Sequence, residues 1–430
     1  MLRLIGVYAA LLGSVGMVLL GTGLLGSLLA LRMDHEQFGT GLIGLVMACY
    51  SVGFVIASLL FGRVIARVGH IRAFSVLAAL TAASTLTYPL LVQPLVWAAM
   101  RLIFGFCVAG LYMVAESWLN HSTPHDYRGR VLAGYSVVTY AALGGGQLLL
   151  SGWEVTGFEL FSVAAGLFAL SMLPMALTRA PAPELPDTRP IGLRRLYALS
   201  PLGLTGSAVA GVLGGAFLAM GPVFGARVGL DTAGISALMA AAMLGGLLLQ
   251  WPVGRLSDRF GRRPAIIGVA TGVMLVSLLL ALLATLRPEL LRWPALLWGG
   301  LAFAVYPLAL ALTNDMIDQD QRLGAGSALL LVHGLGMIAG PLLAARSMAW
   351  FGPQALFVVL AGFALCLALF GLRRHRVAPP LDPALREHFV SVPTTTPVGV
   401  ALDPRMEDPQ HSFDFDAGEV EADMVNKPLS

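Results

Sequence analysis

Arg101, Glu116 and His333 lie inside long apolar runs of the sequence. A charge held in hydrocarbon costs several kcal/mol unless it faces a cavity or a partner. Residues kept in such places therefore bind something, move protons or hold an ion pair. Arg101 can bind an anionic group or set the proton affinity of a carrier; the alternative is a guanidinium that snorkels to the nearby end of its helix. Glu116 can carry a proton, or serve as a structural acid held by Arg63, Arg67, Arg128 or Arg130. His333 titrates near neutrality and can also carry a proton, or it packs as a hydrogen-bonded ring. Helical periodicity places Arg101, Tyr112 and Glu116 on one face, with Arg101 and Glu116 about 22 Å apart along the axis, too far to pair. Tyr140 and Gln147 share a face of the next apolar segment and Tyr306 lies on a later one, all candidates to line the same cavity.

A second group of residues is a polar signature, Gly254-Arg255-Leu256-Ser257-Asp258-Arg259-Phe260-Gly261-Arg262-Arg263. A weaker copy, Gly62-Arg63-Val64-Ile65-Ala66-Arg67-Val68-Gly69, stands 192 residues earlier. Glycines such as Gly62, Gly69, Gly254 and Gly261 permit a tight turn between antiparallel helices. Asp258 can cap a helix or pair with an arginine, while Arg255, Arg259 and Arg262 can reach the last carbonyls of neighbouring helices. Asp315, with Arg322 seven residues on, is placed to meet Arg255 or Arg259 at the same end. Its counterpart in the first half is Thr123, so that half lacks the acid.

These residues must be positioned by helices in a membrane. The chain of 430 residues is 57% hydrophobic and 12% charged, with a mean hydropathy of +0.80. A spanning helix needs about 20 apolar residues, and twelve such stretches run from 4–31 to 353–372. No short alternating strands of the kind a barrel uses are present. The first stretch is too long for the apolar region of a signal peptide and reads as the first span. Cys49, Cys107 and Cys366 fall within spans, as small packing residues rather than ligands or disulfide partners. With the N-terminus inside, fourteen arginines lie in the inner loops and five in the outer ones. That bias sets both termini in the cytoplasm.

The repeat extends beyond the signature. Thr40, Ile43, Met47, Ala48 and Gly53 meet identical residues 192 positions later, and so do Arg130, Ala133 and Gly134. The chain therefore divides into two six-span bundles, 1–178 and 201–375, joined by a Pro- and Arg-rich linker at 179–200. The tail, 376–430, is polar, acidic and expected to be disordered. Parallel repeats of this kind enclose a site near the bilayer midplane.

Twelve spans in two halves, with a Gly-x-x-x-Asp-Arg-x-Gly-Arg-Arg loop at Gly254–Arg263, resemble the major facilitator superfamily over residues 1–375. Glu116-Ser117-Trp118-Leu119-Asn120, followed by Arg128-Gly129-Arg130, resembles its YcaD-type branch. The resemblance implies an all-α membrane protein of two pseudo-symmetric bundles. It further implies a secondary transporter of the bacterial inner membrane that rocks around a central site, with the 254–263 loop latching one end state. It also associates Arg101, through the pattern Arg101-x-x-x-Gly105, with proton coupling. The expected partners are a small-molecule substrate, a proton as coupling ion and the lipid bilayer. The alternatives are a proton-independent facilitator and a non-transporting membrane sensor. No phosphate-cradling loop points to ATP and no Cys/His cluster points to metal. The arginines lack the interleaved aromatics of a nucleic-acid surface, and no nucleophile constellation points to an enzyme or a cofactor.

Overall fold

The computed structural model describes residues 2–177, 191–377, 389–390, 395–400 and 402–403, and among them there is no strand. The first half comprises α1 (Leu2–His35), α2 (Thr40–Val68), α3 (His70–Leu90), α4 (Pro94–Ser122), α5 (Arg128–Leu149), α6 (Glu159–Leu170) and α7 (Met172–Leu177). After α8 (Leu193–Leu199), which falls inside the stretch assigned to the linker, the second half repeats the pattern. It runs through α9 (Pro201–Arg227), α10 (Thr232–Phe260), α11 (Arg262–Leu286), α12 (Arg292–Ala302), α13 (Val305–Asn314), α14 (Gln319–Phe351) and α15 (Ala355–Val377). A final turn, α16 (Pro397–Val400), lies in the tail. Residues 179–190 of the linker, and the tail apart from its short described pieces, lie outside the described residues.

Among the described residues, eleven segments are long and apolar enough to cross a bilayer, with α6–α7 and α12–α13 each making one of them. The remaining expected span is α5. Its 22 residues rise about 33 Å, enough for a hydrocarbon core of about 30 Å, but Ser136, Thr139, Tyr140 and Gln147 lower its apolarity. Two spans are broken where a proline removes a donor to the carbonyl four residues back. Pro307 follows the turn at Phe303–Ala304, and Pro174 follows the turn at Ser171.

In lipid, apolar side chains gain little by meeting one another, so helices associate through close packing at small residues. A Cβ on Gly53 of α2 would strike the Leu102 carbonyl of α4, and one on the equivalent Gly245 of α10 would strike the Leu296 carbonyl of α12. Gly23 of α1 meets Leu143 of α5, as Gly215 of α9 meets Met337 of α14. The same crossings thus recur 192 residues apart. Outward faces stay apolar: Leu275, Leu279, Leu282 and Leu286 of α11 are all exposed, as a lipid-facing surface requires.

The two signature loops are single-residue turns. Gly69 (φ 85°) separates α2 from α3, and Gly261 (φ 96°) separates α10 from α11. Their N–H groups donate to Ile65 and Ser257 and close the preceding helices. The left-handed conformation favours glycine at both positions. Because successive spans alternate in direction, both turns lie at one end of the bundle, here termed the turn end.

Substituting leucine at Gly53 or at Gly245 is expected to force α2 from α4, or α10 from α12. Overpacking of this kind costs about 1–3 kcal/mol, read as a lower unfolding temperature of the detergent-purified protein. Leucine at Gly13, where nothing lies within 4 Å of an added Cβ, is expected to leave that temperature unchanged.

Candidate functional site

A cavity of about 200 Å³ lies between the two halves. The first half lines it from α1 (Leu19, Thr22), α2 (Met47, Tyr50, Ser51, Phe54), α4 (Arg101, Tyr112) and α5 (Thr139, Tyr140, Leu143, Gln147). The second half contributes Gly215, Leu218 and Ala219 of α9, Met243 of α10, Phe303 at the α12–α13 break, and Gly334, Met337 and Pro341 of α14. Four of the residues singled out in the sequence, Arg101, Tyr112, Tyr140 and Gln147, therefore border one space. The shared face of Arg101 and Tyr112 follows from their eleven-residue spacing, three helical turns.

Arg101 does not snorkel. It is 5% exposed, its guanidinium lies 5.0 Å from the Tyr50 ring centre and 5.8 Å from that of Phe104, and its Nε has no hydrogen-bond partner. Tyr140 joins the halves: its hydroxyl accepts a 2.5 Å hydrogen bond from Gln250 of α10, and its ring packs on Gly246. The Gln147 carboxamide oxygen accepts from the Ser27 hydroxyl of α1.

Glu116 shares the helix face of Arg101 but does not border the cavity. It is fully buried toward the turn end. Its Oε1 accepts from Tyr135 of α5 at 2.6 Å and from the Thr395 hydroxyl, and its Oε2 accepts from the Thr396 hydroxyl. The Gly399 backbone also bonds to it. Thr395, Thr396 and Gly399 all belong to the tail. Of the four arginines offered above as partners for Glu116, Arg63, Arg67 and Arg130 are exposed and Arg128 is buried. Tyr306 and His333 also lie off the cavity. Their rings meet edge-on at 5.0 Å between α13 and α14, and neither the Tyr306 hydroxyl nor the His333 Nδ1 has a partner.

At the turn end of the second half the arginine on Asp315 is Arg262, where Arg255 or Arg259 was expected. Arg262 Nε donates to Asp315 at 3.0 Å, and its NH1 reaches Asp258 at 2.5 Å and Ser257 at 3.0 Å. The reason is the turn at Gly261, which aims the first residue of α11 inward, whereas Arg255 and Arg259 fall on the outer face of α10. There Arg255 stacks on Trp251 at 3.7 Å and Arg259 on Phe260 at 5.4 Å. Arg322 is buried near the start of α14. In the first half His70 takes the place of Arg262. It bonds the Ser117 hydroxyl at 3.2 Å and stacks on Trp118 of α4.

The opposite end is closed across the halves. Arg227, ending α9, binds Asp34 of α1 at 2.9 Å and the Thr40 hydroxyl of α2 at 2.6 Å, while Gly44 of α2 lies on the Pro341 carbonyl of α14. Nothing in the local sequence of Asp34 or Arg227 announces a pairing 193 residues apart. Tyr50 and Tyr135 were equally missed as partners.

Asp315→Asn leaves the buried Arg262 with a weaker partner. Loss of a hydrogen bond to a charged group costs about 1.5–3 kcal/mol, so a clear fall in unfolding temperature is expected. Arg255→Gln, on an exposed face, is expected to change stability by less than about 0.5 kcal/mol.

A sequence profile of the Major Facilitator Superfamily matches residues 11–322 and 229–406. The chain is 28% identical over 368 residues to an uncharacterized MFS-type transporter YcaD of Escherichia fergusonii, covering 85% of this chain and 95% of that one. Its fold is similar to that of the nucleoside transporter NupG (TM-score 0.71, 15% identity, 87% of this chain and 100% of that one). It is also similar to a D-xylose-proton symporter (TM-score 0.70, 15% identity, 87% and 98%). At these identities the two structures speak to fold alone.

Proposed function

We propose that this chain, which belongs to the major facilitator superfamily, moves a small solute by exposing its central cavity to the two membrane faces in turn. Membership makes it a membrane transporter rather than an enzyme. The observation that carries the alternating mechanism is a cavity walled by both repeated bundles, with contacts that join the halves at each of its ends. At one end these are the Arg227–Asp34 pair and the crossing of α2 with α14. At the other they are the tail's bonds to Glu116 and Asp258. Breaking one set while keeping the other opens the cavity to one side. The gating positions Gly62, Arg63, Arg67, Gly69, Gly254, Arg255, Asp258, Arg259, Gly261, Arg262, Asp315 and Arg322 all cluster at the turn end. Arg262 with Asp258 and Asp315 fixes the angle between α10, α11 and α13 in this state.

The coupling ion is a proton, and Glu116 is its carrier. Its carboxylate is fully buried and held by hydroxyls and a backbone N–H rather than by a cation, so gain or loss of a proton changes what it can hold. The protein lies in the inner membrane with both termini in the cytoplasm. Arginine-rich loops resist translocation, and Arg63, Arg67, Arg255, Arg259 and Arg262 all lie at the turn end.

The test uses proteoliposomes and a solute found by its thermal stabilisation of the purified protein. Counterflow of that solute is expected; binding without counterflow would instead leave a sensor. Glu116→Gln is expected to keep counterflow and lose accumulation driven by a pH gradient. If both Glu116→Gln and His333→Gln keep the wild-type response to the gradient, neither is the carrier and a proton-independent facilitator remains.

A further inference from the structure

We infer that the cavity takes a small organic monoanion, a carboxylate on an apolar or aromatic body; this rests on the transporter reading above and names its substrate class. Arg101 is the only charged side chain that borders the cavity among the described residues, and no carboxylate lines it. Its Nε is unpartnered although buried, and the rings of Tyr50 and Phe104 that flank it leave its charge uncancelled. An arginine in this situation is stabilised by an anion, which it binds through its fixed fork of donors. The other polar groups on the wall also have donors to spare. The Gln147 carboxamide spends its oxygen on Ser27 and keeps its NH2. The Tyr140 hydroxyl accepts from Gln250 and keeps its proton. The Tyr50 and Ser51 hydroxyls border the same space. One positive charge matches one negative charge, which favours a carboxylate over a phosphate dianion. The remaining wall, with Phe54, Phe303, Met243 and Met337, suits a flat apolar body, and about 200 Å³ limits it to a small one.

Benzoate, benzamide and benzamidine share one shape and differ in charge, so they separate the classes. Binding to the detergent-purified full-length protein is followed by unfolding temperature and by titration calorimetry. Benzoate is expected to bind saturably and benzamidine not at all. Arg101→Gln is expected to weaken benzoate at least tenfold and Arg101→Lys to restore part of the loss, with the unliganded unfolding temperature confirming that each variant is folded. Equal or tighter binding of benzamide or benzamidine, benzoate binding indifferent to Arg101→Gln, or no saturable benzoate binding overturns the assignment. Benzoate binding without counterflow sinks the transport reading alone; counterflow of neutral solutes without benzoate binding sinks the anion alone.

An independent observation concerns the tail. We propose that the described residues of the tail, 389–390, 395–400 and 402–403, form a built-in plug that closes the cavity at the turn end and must leave before solute passes there. Thr395 borders the cavity. Thr395 and Thr396 bind Glu116 of the first half, whereas the Phe389 N–H donates to both oxygens of Asp258 in the second half at 3.1 Å. The Phe389 ring covers Gly254, and Val400 packs on Gly326. Val398, Val400 and Leu402 are buried. The segment thus pins both halves across the mouth through side chains that a tail in free solution would leave exposed.

Val400→Asp in the full chain puts a charge into the seat and is expected to eject the plug. With the three native cysteines replaced, Val398→Cys is expected to react slowly with a water-soluble maleimide, and at least tenfold faster when Val400→Asp is added. Counterflow of the stabilising solute is expected to quicken severalfold in Val400→Asp alone. Fast labelling of Val398→Cys without the second substitution overturns the seat. Unchanged or slower counterflow in Val400→Asp, at equal protein and unfolding temperature, overturns the plug.

Discussion

Inside a bilayer an unpaired backbone amide has no water to turn to, so every spanning segment must pair its own donors and acceptors. That constraint makes the whole membrane body helical, and it removes the usual reason for helices to associate, since lipid chains are as apolar as leucine. What remains is close approach. The glycines at 23, 53, 215 and 245 supply it by letting one helix rest on the carbonyls or backbone of the next. Because the same glycines recur in both halves, the same crossings recur, and two similar bundles face each other across a gap that neither fills.

The gap gives the polar residues their meaning. Arg101 lies where a charge is costly unless answered, and the answer on the protein's side is only aromatic faces. Glu116, on the same helix, is the opposite case, with its oxygens met by three hydroxyls. At the turn end the second half relies on the Arg262 triad with Asp258 and Asp315, and the first half on the contact of His70 with Ser117 and Trp118. The two bundles share a backbone plan but not the chemistry of their hinges.

The fold was legible in the sequence because apolar length and a constant repeat spacing are local or periodic signals. Gly69 and Gly261 could be assigned to turns for the same reason. Helical phase alone could put Arg101 with Tyr112 on one face of α4, and Tyr140 with Gln147 on one face of α5. Phase does not say how two helices rotate against each other, so the partner of Asp315 was misassigned. The inward aim of Arg262 depends on the positive φ at Gly261, not on a spacing of residues. Tyr306 and His333 are polar residues on the right helices, yet they face each other inside the second bundle. The tail was hardest to read. Its composition argues for disorder, and the threonines that seat on Glu116 belong to a run with no period, so only long-range packing could place them.

The relative polarity of α5 bears on how the protein is made. A segment that carries Ser136, Thr139, Tyr140 and Gln147 gains less from lipid than its neighbours, and it enters hydrocarbon best with company. That company is α1, already synthesised, whose Gly23 and Leu20 backbone meet Leu143 and Gly146 of α5 and whose Ser27 takes up the Gln147 amide. The other side of α5 waits for α10, more than eighty residues later in the chain. Until α10 emerges from the ribosome, the wall bearing Tyr140 and Gly144 stands against lipid. The nascent first half is then an amphipathic body whose wettest surface becomes an interior only when its twin arrives.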